Sequence, residues 1–340
     1  MIRKNDRIRL KISDMGINGE GIGKFYDPDE GHNGSGFTFF VKNAVIGDEV
    51  LAVVTGLKKG YGYAKVLEII EASPDRVKPA CPLAERCGGC QIMQLSYDAQ
   101  LKFKENKVRN DLERLGGQHC DNFLPIKGMK GDMPLHFRNK MQFPVGWDKE
   151  GHVVTGFYAG RTHYIIGTAD CPVSPEINNI ILEAVRCFAE KFRLSSYNEE
   201  TGTGLIRHVL IRNAFHTGQI MVCLVINGDE LEHSNHLVRD LTALKLEEPW
   251  RIASICLNIN KEQTNVILGE KVECIYGNPY IEEMIVSSLE GMKPLTFRVN
   301  PLSFFQTNPY QTSVLYDEAL KMAGLTGSET VWDLYCGAGT

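Results

Sequence analysis

The stretch CPLAERCGGC places Cys81, Cys87 and Cys90 within ten residues, beside a Gly88–Gly89 turn. Thiolates are soft ligands suited to zinc or iron–sulfur clusters. A Cys-x-x-Cys pair puts two sulfurs on one centre, and the paired glycines let the backbone fold tightly around it. Three local sulfurs leave a fourth ligand to find. Cys120, Cys187, Cys223, Cys256 and Cys274 read as small core or incidental residues. Cys171 differs, because TADCPVSP sets it in a Pro-flanked loop, as PACP sets Cys81. It is taken as the fourth ligand. Structural zinc sites usually show two Cys-x-x-Cys knuckles. One knuckle, one outlier and one distant cysteine favour a [4Fe–4S] cluster, with zinc as the alternative.

A second chemical feature is DLYCGAGT, which joins Asp333 to Gly337 and Gly339 after the apolar run VWDLY. In nucleotide-binding α/β folds such a turn lets a ligand approach the backbone at a strand's carboxyl end. The plainer reading is a strand-ending loop. Cys336 lies in this turn without a basic partner nearby in sequence, so it is not read as a nucleophile. A third feature, KKGYGYAK, interleaves Tyr61 and Tyr63 with Lys58, Lys59 and Lys65. Aromatic faces stack on bases while lysines meet phosphates. An ordinary lysine-decorated strand explains the same pattern equally well.

These features need elements to carry them. Residues 7–70 read as a small β-barrel. RIRLKI alternates, and FTFFVKN, DEVLAVVTGL and GYAKVLEII are further short strands between glycine turns. SPDRVKPACP is a linker into the cysteines. LSYDAQLKFKENKVRNDLERLGG reads as a helix with Leu101, Val108, Leu112 and Leu115 on one face, stopped by Gly116 and Gly117. From about 123 to 292 the pattern is mixed and mostly β. KMQFPVG, VVTGFYA, LIRHVLIRNAF, QIMVCLVIN, IASICLNIN and TNVILG read as strands, with HTGQ as a hairpin turn. Residues 176–192 read as a helix with Ile180, Ala184, Cys187 and Phe188 on one side. NPYQTSVLYDEALKMAGL is a last helix, and VWDLY a last strand.

The chain has 340 residues, 43% of them hydrophobic, enough for two or three domains. No apolar run reaches membrane-span length, and the charged start MIRKNDRIRLKIS is not a signal peptide. A cytoplasmic location is the default, where clustered thiols suggest metal rather than disulfides. The net charge of -5 gives no whole-chain basic signature, although nucleic acid needs only a local basic face.

Taken together, these segments resemble the bacterial RNA uracil-5-methyltransferases, in particular the iron–sulfur type that modifies 23S ribosomal RNA. The resemblance rests on the cysteine spacing, HFRNKMQFPVG, GLIRHVLIRN, TNVILGE, LSFFQTN and DLYCGAGT, in that order. RIRLKISDMGINGEGIGKF is similar to the start of a TRAM domain, an RNA-binding barrel. The resemblance implies a multi-domain α+β and α/β protein. Its parts are an OB-like TRAM barrel over 1–70, an iron–sulfur segment with a mainly antiparallel α+β domain over 75–292, and the beginning of a Rossmann-like methyltransferase domain over 293–340.

It also implies site residues. Cys81, Cys87, Cys90 and Cys171 would ligate the cluster. Gln306, Asp333, Tyr335, Gly337, Gly339 and Thr340 would contact S-adenosylmethionine. Arg138, Asn139, Lys140, Lys59 and Tyr61 would meet RNA, and Phe304 would stack on the target uracil. The reaction proceeds through a cysteine adduct at uracil C6. In the family the nucleophile and the base lie downstream of the glycine turn, so this chain is expected to be C-terminally truncated and inactive by itself. A monomer without an obligate protein partner is expected. The alternatives are a non-catalytic RNA-binding iron–sulfur module and a tRNA-directed relative. A radical S-adenosylmethionine methylthiotransferase fits less well, because it spaces three local cysteines differently.

Overall fold

The computed structural model describes residues 2–26, 36–131, 134–160, 162–168, 170–337 and Gly339. The chain divides into two compact units, Met1–Pro134 and Leu135–Thr340. The cysteine segment lies in the first.

The first unit opens with five strands: β1 (Arg7–Met15), β2 (Gly21–Phe25), β3 (Phe37–Lys42), β4 (Glu49–Leu57) and β5 (Tyr61–Glu71). They close into a barrel in the order β1-β2-β3-β5-β4. Alternation does the work: Ile8, Leu10 and Ile12 point inward with Phe39, Val41, Val50, Ala52 and Val54. Gly62 is required where β5 crosses Phe39, since a Cβ there would meet the ring at 2.3 Å. The segment after the barrel is tied back by Arg76, whose Nε donates to the fully buried Asp48 at 3.0 Å. Burial alone would raise the Asp48 pKa. The Arg76 bond and the Ser73 and Val45 amides outweigh it and hold the carboxyl below its usual range.

Helix α1 (Tyr97–Asn110) follows, capped by Ser96, and runs into a single π-helical turn at Asp111–Leu115. The expected helix is present, but its apolar stripe is not its buried face. Tyr97, Ala99 and Gln100 are buried, whereas Val108, Leu112 and Leu115 are exposed. Its first turns meet apolar partners: Ala99 and Phe103 pack with Met15, Val45 and Leu95.

The second unit is built on one sheet. Its strands are β6 (Lys140–Trp147), β7 (Val153–Tyr158), β8 (Ile165–Gly167), β9 (Ile206–Asn213), β10 (Gln219–Ile226), β11 (Arg251–Ile259) and β12 (Lys271–Gly277), in the order β12-β11-β10-β9-β6-β7-β8. Only β10 and β11 run parallel; every other neighbour is antiparallel. HTG closes the β9–β10 hairpin, with Gly218 at positive φ. Helices α2 (Ile177–Lys191) and α3 (Ser234–Thr242) join the sheet in one large core with Val209, Ile211, Val222 and Leu224. In α2 the buried side chains include Ile181, Leu182, Val185 and Phe188. Ile180 and Cys187 are exposed, whereas Phe188 is buried and Ala184 packs against the core, so two of the four residues read onto this face lie on it. A two-stranded ribbon, β13 (Ile281–Ile285) with β14 (Leu295–Val299), and helix α4 (Pro309–Ala323) complete the unit.

Two expected strands are absent. TNVILG is irregular because side chains hold its backbone instead of a neighbouring strand. Asn260 Nδ2 donates to the Val266 and Ile267 carbonyls at 2.8 and 3.0 Å, and Asn258 makes two bonds with Gly269. VWDLY forms no strand either, and Trp332 and Tyr335 stand 80% and 97% exposed. Among the described residues no parallel α/β sheet is present to take it as a strand. No described helix is long and apolar enough to cross a membrane.

Candidate nucleic-acid interface

The residues flanking β6 and β9 come together with the loop between β14 and α4. Lys140 opens β6 and pairs with Arg212 at the end of β9. One residue earlier, Asn139 continues the pairing, because Asn213 N donates to its carbonyl at 2.9 Å. The Asn139 backbone N–H donates to Thr307 O at 2.9 Å, and its Nδ2 donates to Gln306 O at 2.8 Å. Arg212 reaches the other side of the same loop. Its guanidinium donates to the Pro301 carbonyl at 3.3 Å and to that of Ser303. Phe305 anchors the loop from below, packed with Ala214, Met221, Ile281 and Val299.

This scaffold separates two adjacent rings. Phe305 is 4% exposed and Phe304 is 70% exposed. A large apolar ring held outward on a pinned loop offers a free face to a planar partner. Gln306 is half-buried beside it, and Asn308 caps α4 through Gln311 N at 3.2 Å.

Asn139 is therefore buried, with its amide turned to the loop, which it helps to position. Its Oδ1 and the Arg212 Nε are buried without a hydrogen-bond partner among the described residues. Lys140 lies beside them. Burial, then repulsion from Arg212, holds its pKa down to about 8. Arg212 itself is lowered by burial to about 10 and stays cationic at neutral pH. Behind this edge, Asn178 on α2 and Asn213 exchange amide bonds at 3.1 and 2.9 Å. Arg212, Asn213 and Asn178 were not singled out from the sequence. The available signal was arginine inside the otherwise apolar strand LIRHVLIRN.

The donor-side residues are not brought here. Asp333 Oδ1 accepts the Tyr335 N–H at 3.2 Å within the exposed tail, and Gly337 and Gly339 hold positive φ. Among the described residues no hydrogen bond or ring contact joins them to Gln306. Thr340 lies outside the described residues.

On the barrel, Tyr61 is 37% exposed and makes edge contacts with Phe40 and Tyr63 at 5.6 Å, and Lys59 is exposed in the turn before it. Both parts of the stacking pattern are on the surface.

The cysteine trio sits half-buried around its glycine turn. Burial pushes the Cys87 thiol up, while the Gly89 N–H, donating to its Sγ at 3.4 Å, opposes this. Cys171 packs at the margin of the second unit's core. Among the described residues no three His, Cys, Asp or Glu side chains form a group able to hold a metal ion. No step below runs through a cluster.

Comparison with known proteins bears on this geometry. Residues 3–67 match the TRAM domain, the barrel of the first unit. An uncharacterized RNA methyltransferase of Halalkalibacterium halodurans is 40% identical over 339 residues, covering 100% of this chain and 69% of that protein. The chain belongs to the RNA methyltransferase family. An uncharacterized RNA methyltransferase of Clostridium tetani is also 40% identical, with 68% of its length covered. The fold of this RNA methyltransferase is similar to that of the Pyrococcus abyssi tRNA (uracil-54, C5)-methyltransferase, solved with S-adenosyl-L-homocysteine. The TM-score is 0.65 at 24% identity, over 96% of this chain and 67% of that one. It is thus an enzyme acting on RNA, and its TRAM barrel and pinned Phe304 loop are the surfaces to consider for that substrate.

Proposed function

We propose that this RNA methyltransferase takes part in methylation of uracil C5 in RNA, with S-adenosylmethionine as donor and 23S ribosomal RNA as substrate. The observation that carries the reading is the outward Phe304, held on a loop pinned by Asn139, Arg212 and Phe305. S-adenosylmethionine supplies an electrophilic methyl group when bound.

This chain's residues prepare the other partner. The target base leaves its stack and Phe304 receives it. Gln306, on the same loop, faces the donor. Arg138 and Lys140 meet phosphate, and Lys59 and Tyr61 offer the barrel's own RNA contact. Uracil C5 is a poor nucleophile, so a cysteine thiolate must add at C6 to give C5 enolate character. C5 then takes the donor's methyl group, the S–CH3 bond breaking to leave S-adenosylhomocysteine; a base removes the C5 proton, and the thiolate leaves.

Mass-spectrometric nucleoside analysis of 23S rRNA and tRNA from cells with the gene deleted tests this. 5-Methyluridine should disappear from 23S rRNA and return with the wild-type gene, but not with Phe304→Ala. Unchanged 5-methyluridine in both RNAs would refute the reading. Its loss from tRNA alone would replace the ribosomal substrate.

A further inference from the structure

Buried polar atoms without a partner are rare in native proteins, and each calls for an explanation. Among the described residues they occupy two places. Asn139 Oδ1 and Arg212 Nε lie at the Phe304 loop. The Tyr197 hydroxyl, Arg207 Nε and both ring nitrogens of His208 lie at the opposite end of β9. This second group adjoins a cleft of about 930 Å³, formed where β6, β7 and β8 meet residues 196–200. That size suits a small organic ligand.

A register shift at the start of β9 helps build the second group. The β9–β10 pairing slips between Val225 and Ile226, which face His208 and Ile206, so Arg207 has no partner across the ladder. Its guanidinium lies over the Tyr197 ring at 4.1 Å and donates to the Asn260 and Glu262 carbonyls. Tyr158 stands edge-on to His208 and to His163, with centroids 6.3 and 5.4 Å apart. Tyr158, His163, Tyr164 and Tyr197 all line the cleft, and Tyr164 is 67% exposed.

The rim decides the guest. It carries Asp148, Glu150, Glu199 and Glu200 against Lys149, with Glu199 facing the buried Arg207 guanidinium at 4.0 Å. Such a rim repels phosphate, so a nucleic-acid backbone stays outside. A planar ring presenting N–H donors fits inside, stacked on tyrosine with its edge toward carboxylate oxygens and the Tyr197 hydroxyl. Among nucleobases guanine presents adjacent N–H donors on its pairing edge. We propose that this cleft binds an unstacked guanine of the RNA substrate, at a site distinct from the base that is methylated. The proposal rests on the family's action on RNA and not on the choice of uracil C5.

Guanosine, uridine and a short arginine-rich peptide, each titrated against the full chain, test it. Binding is read from Trp147 fluorescence, since Trp147 lines the cleft. Guanosine should bind saturably and uridine at least about tenfold more weakly, because a base matched to a polar edge is favoured on that scale. Tyr164→Ala should weaken guanosine about tenfold through lost stacking. Tyr197→Phe should weaken it about fivefold through one lost hydrogen bond. Tyr164 is exposed, so its variant keeps the test sound should Tyr197→Phe disturb folding. Equal responses to guanosine and uridine, or guanosine binding indifferent to Tyr164→Ala, would overturn the proposal. So would saturable peptide binding without guanosine binding, which would make the cleft a protein-docking site. None of these failures touches the C5 reading, which nucleoside analysis of cellular RNA decides separately.

Discussion

The two ends of β9 use the same residue type for different ends. At one end Arg212 reaches across to a loop from the β14–α4 connection and holds Phe304 outward. At the other end Arg207 reaches the loop after β11, and a tyrosine-lined cleft opens beside it. Between them Val209 and Ile211 belong to the main core. Both arginines are buried and bonded mainly to carbonyls, so charge alone does not separate the ends. What separates them is what each carbonyl belongs to. At one end the loop displays Phe304; at the other the carbonyls belong to the loop after β11, and a cleft opens beside it.

The largest expected effect would break the loop that displays Phe304. Phe305→Ala removes a buried anchor, and such truncations cost about 3–5 kcal/mol. Thermal unfolding should fall by roughly 10 °C for a unit of this size. The neighbouring Phe304→Ala should change stability by less than about 0.5 kcal/mol, since its ring is exposed. Similar melting shifts for the two variants would mean that the loop does not divide its rings as described.

Next in size is the arginine pair. Each of Arg207→Met and Arg212→Met strands carbonyls that now accept from a charged donor, a loss of about 2–3 kcal/mol. Urea unfolding should show comparable losses. Function should divide them: Arg212→Met disturbs RNA methylation, and Arg207→Met disturbs guanosine binding. If both variants impaired the same readout, the two ends would be one site.

Smaller again is the contribution of the exposed ring to RNA. Phe304→Ala should weaken single-stranded RNA by about 1–3 kcal/mol, measured by fluorescence anisotropy. Tyr61→Ala on the barrel serves as the comparison. Its ring already packs against Phe40 and Tyr63 and has less free face to offer, so its loss should be smaller. A larger loss for Tyr61 would move the main RNA contact to the barrel.

How much of this was legible in the sequence depends on whether the signal was periodic. The barrel strands alternate plainly, and Asn308–Pro309 with Gly324 mark both ends of α4. The FFQTN and RNK segments were recognised from the family resemblance, but the bond between Asn139 and Gln306 spans 167 residues, which no local pattern reveals. TNVILG has strand composition, yet Asn258 and Asn260 take its backbone groups, a tertiary override of propensity. The cysteine trio has the spacing of a ligand set, and spacing by itself fixes only proximity along the chain. Arg207 and His208 stand in view within LIRHVLIRN, but no local pattern shows the register shift, or the cleft that residues 196–200 form beside them.

The finest test of the comparison is pH, because the two ends titrate on opposite sides of neutrality. Burial, then Arg212, lowers Lys140 from 10.5 to about 8. The folded state holds fewer protons than the unfolded state between about 8 and 10.5, so stability should rise with pH across that window. RNA affinity should move oppositely, falling as the Lys140 charge is lost above pH 8, and Lys140→Arg should remove that fall. At the other end burial, then Arg207, lowers His208 from 6.5 to about 4. Its imidazole is neutral in the folded protein at pH 7. Stability is therefore fully present above pH 6.5 and is lost as pH drops toward 4. Urea unfolding of His208→Gln at several pH values should show a shallower acid limb than wild type, with the alkaline limb unchanged. A change in the alkaline limb instead would mean that the ends of β9 are electrostatically coupled through the strand, and the division between loop and cleft would have to be redrawn.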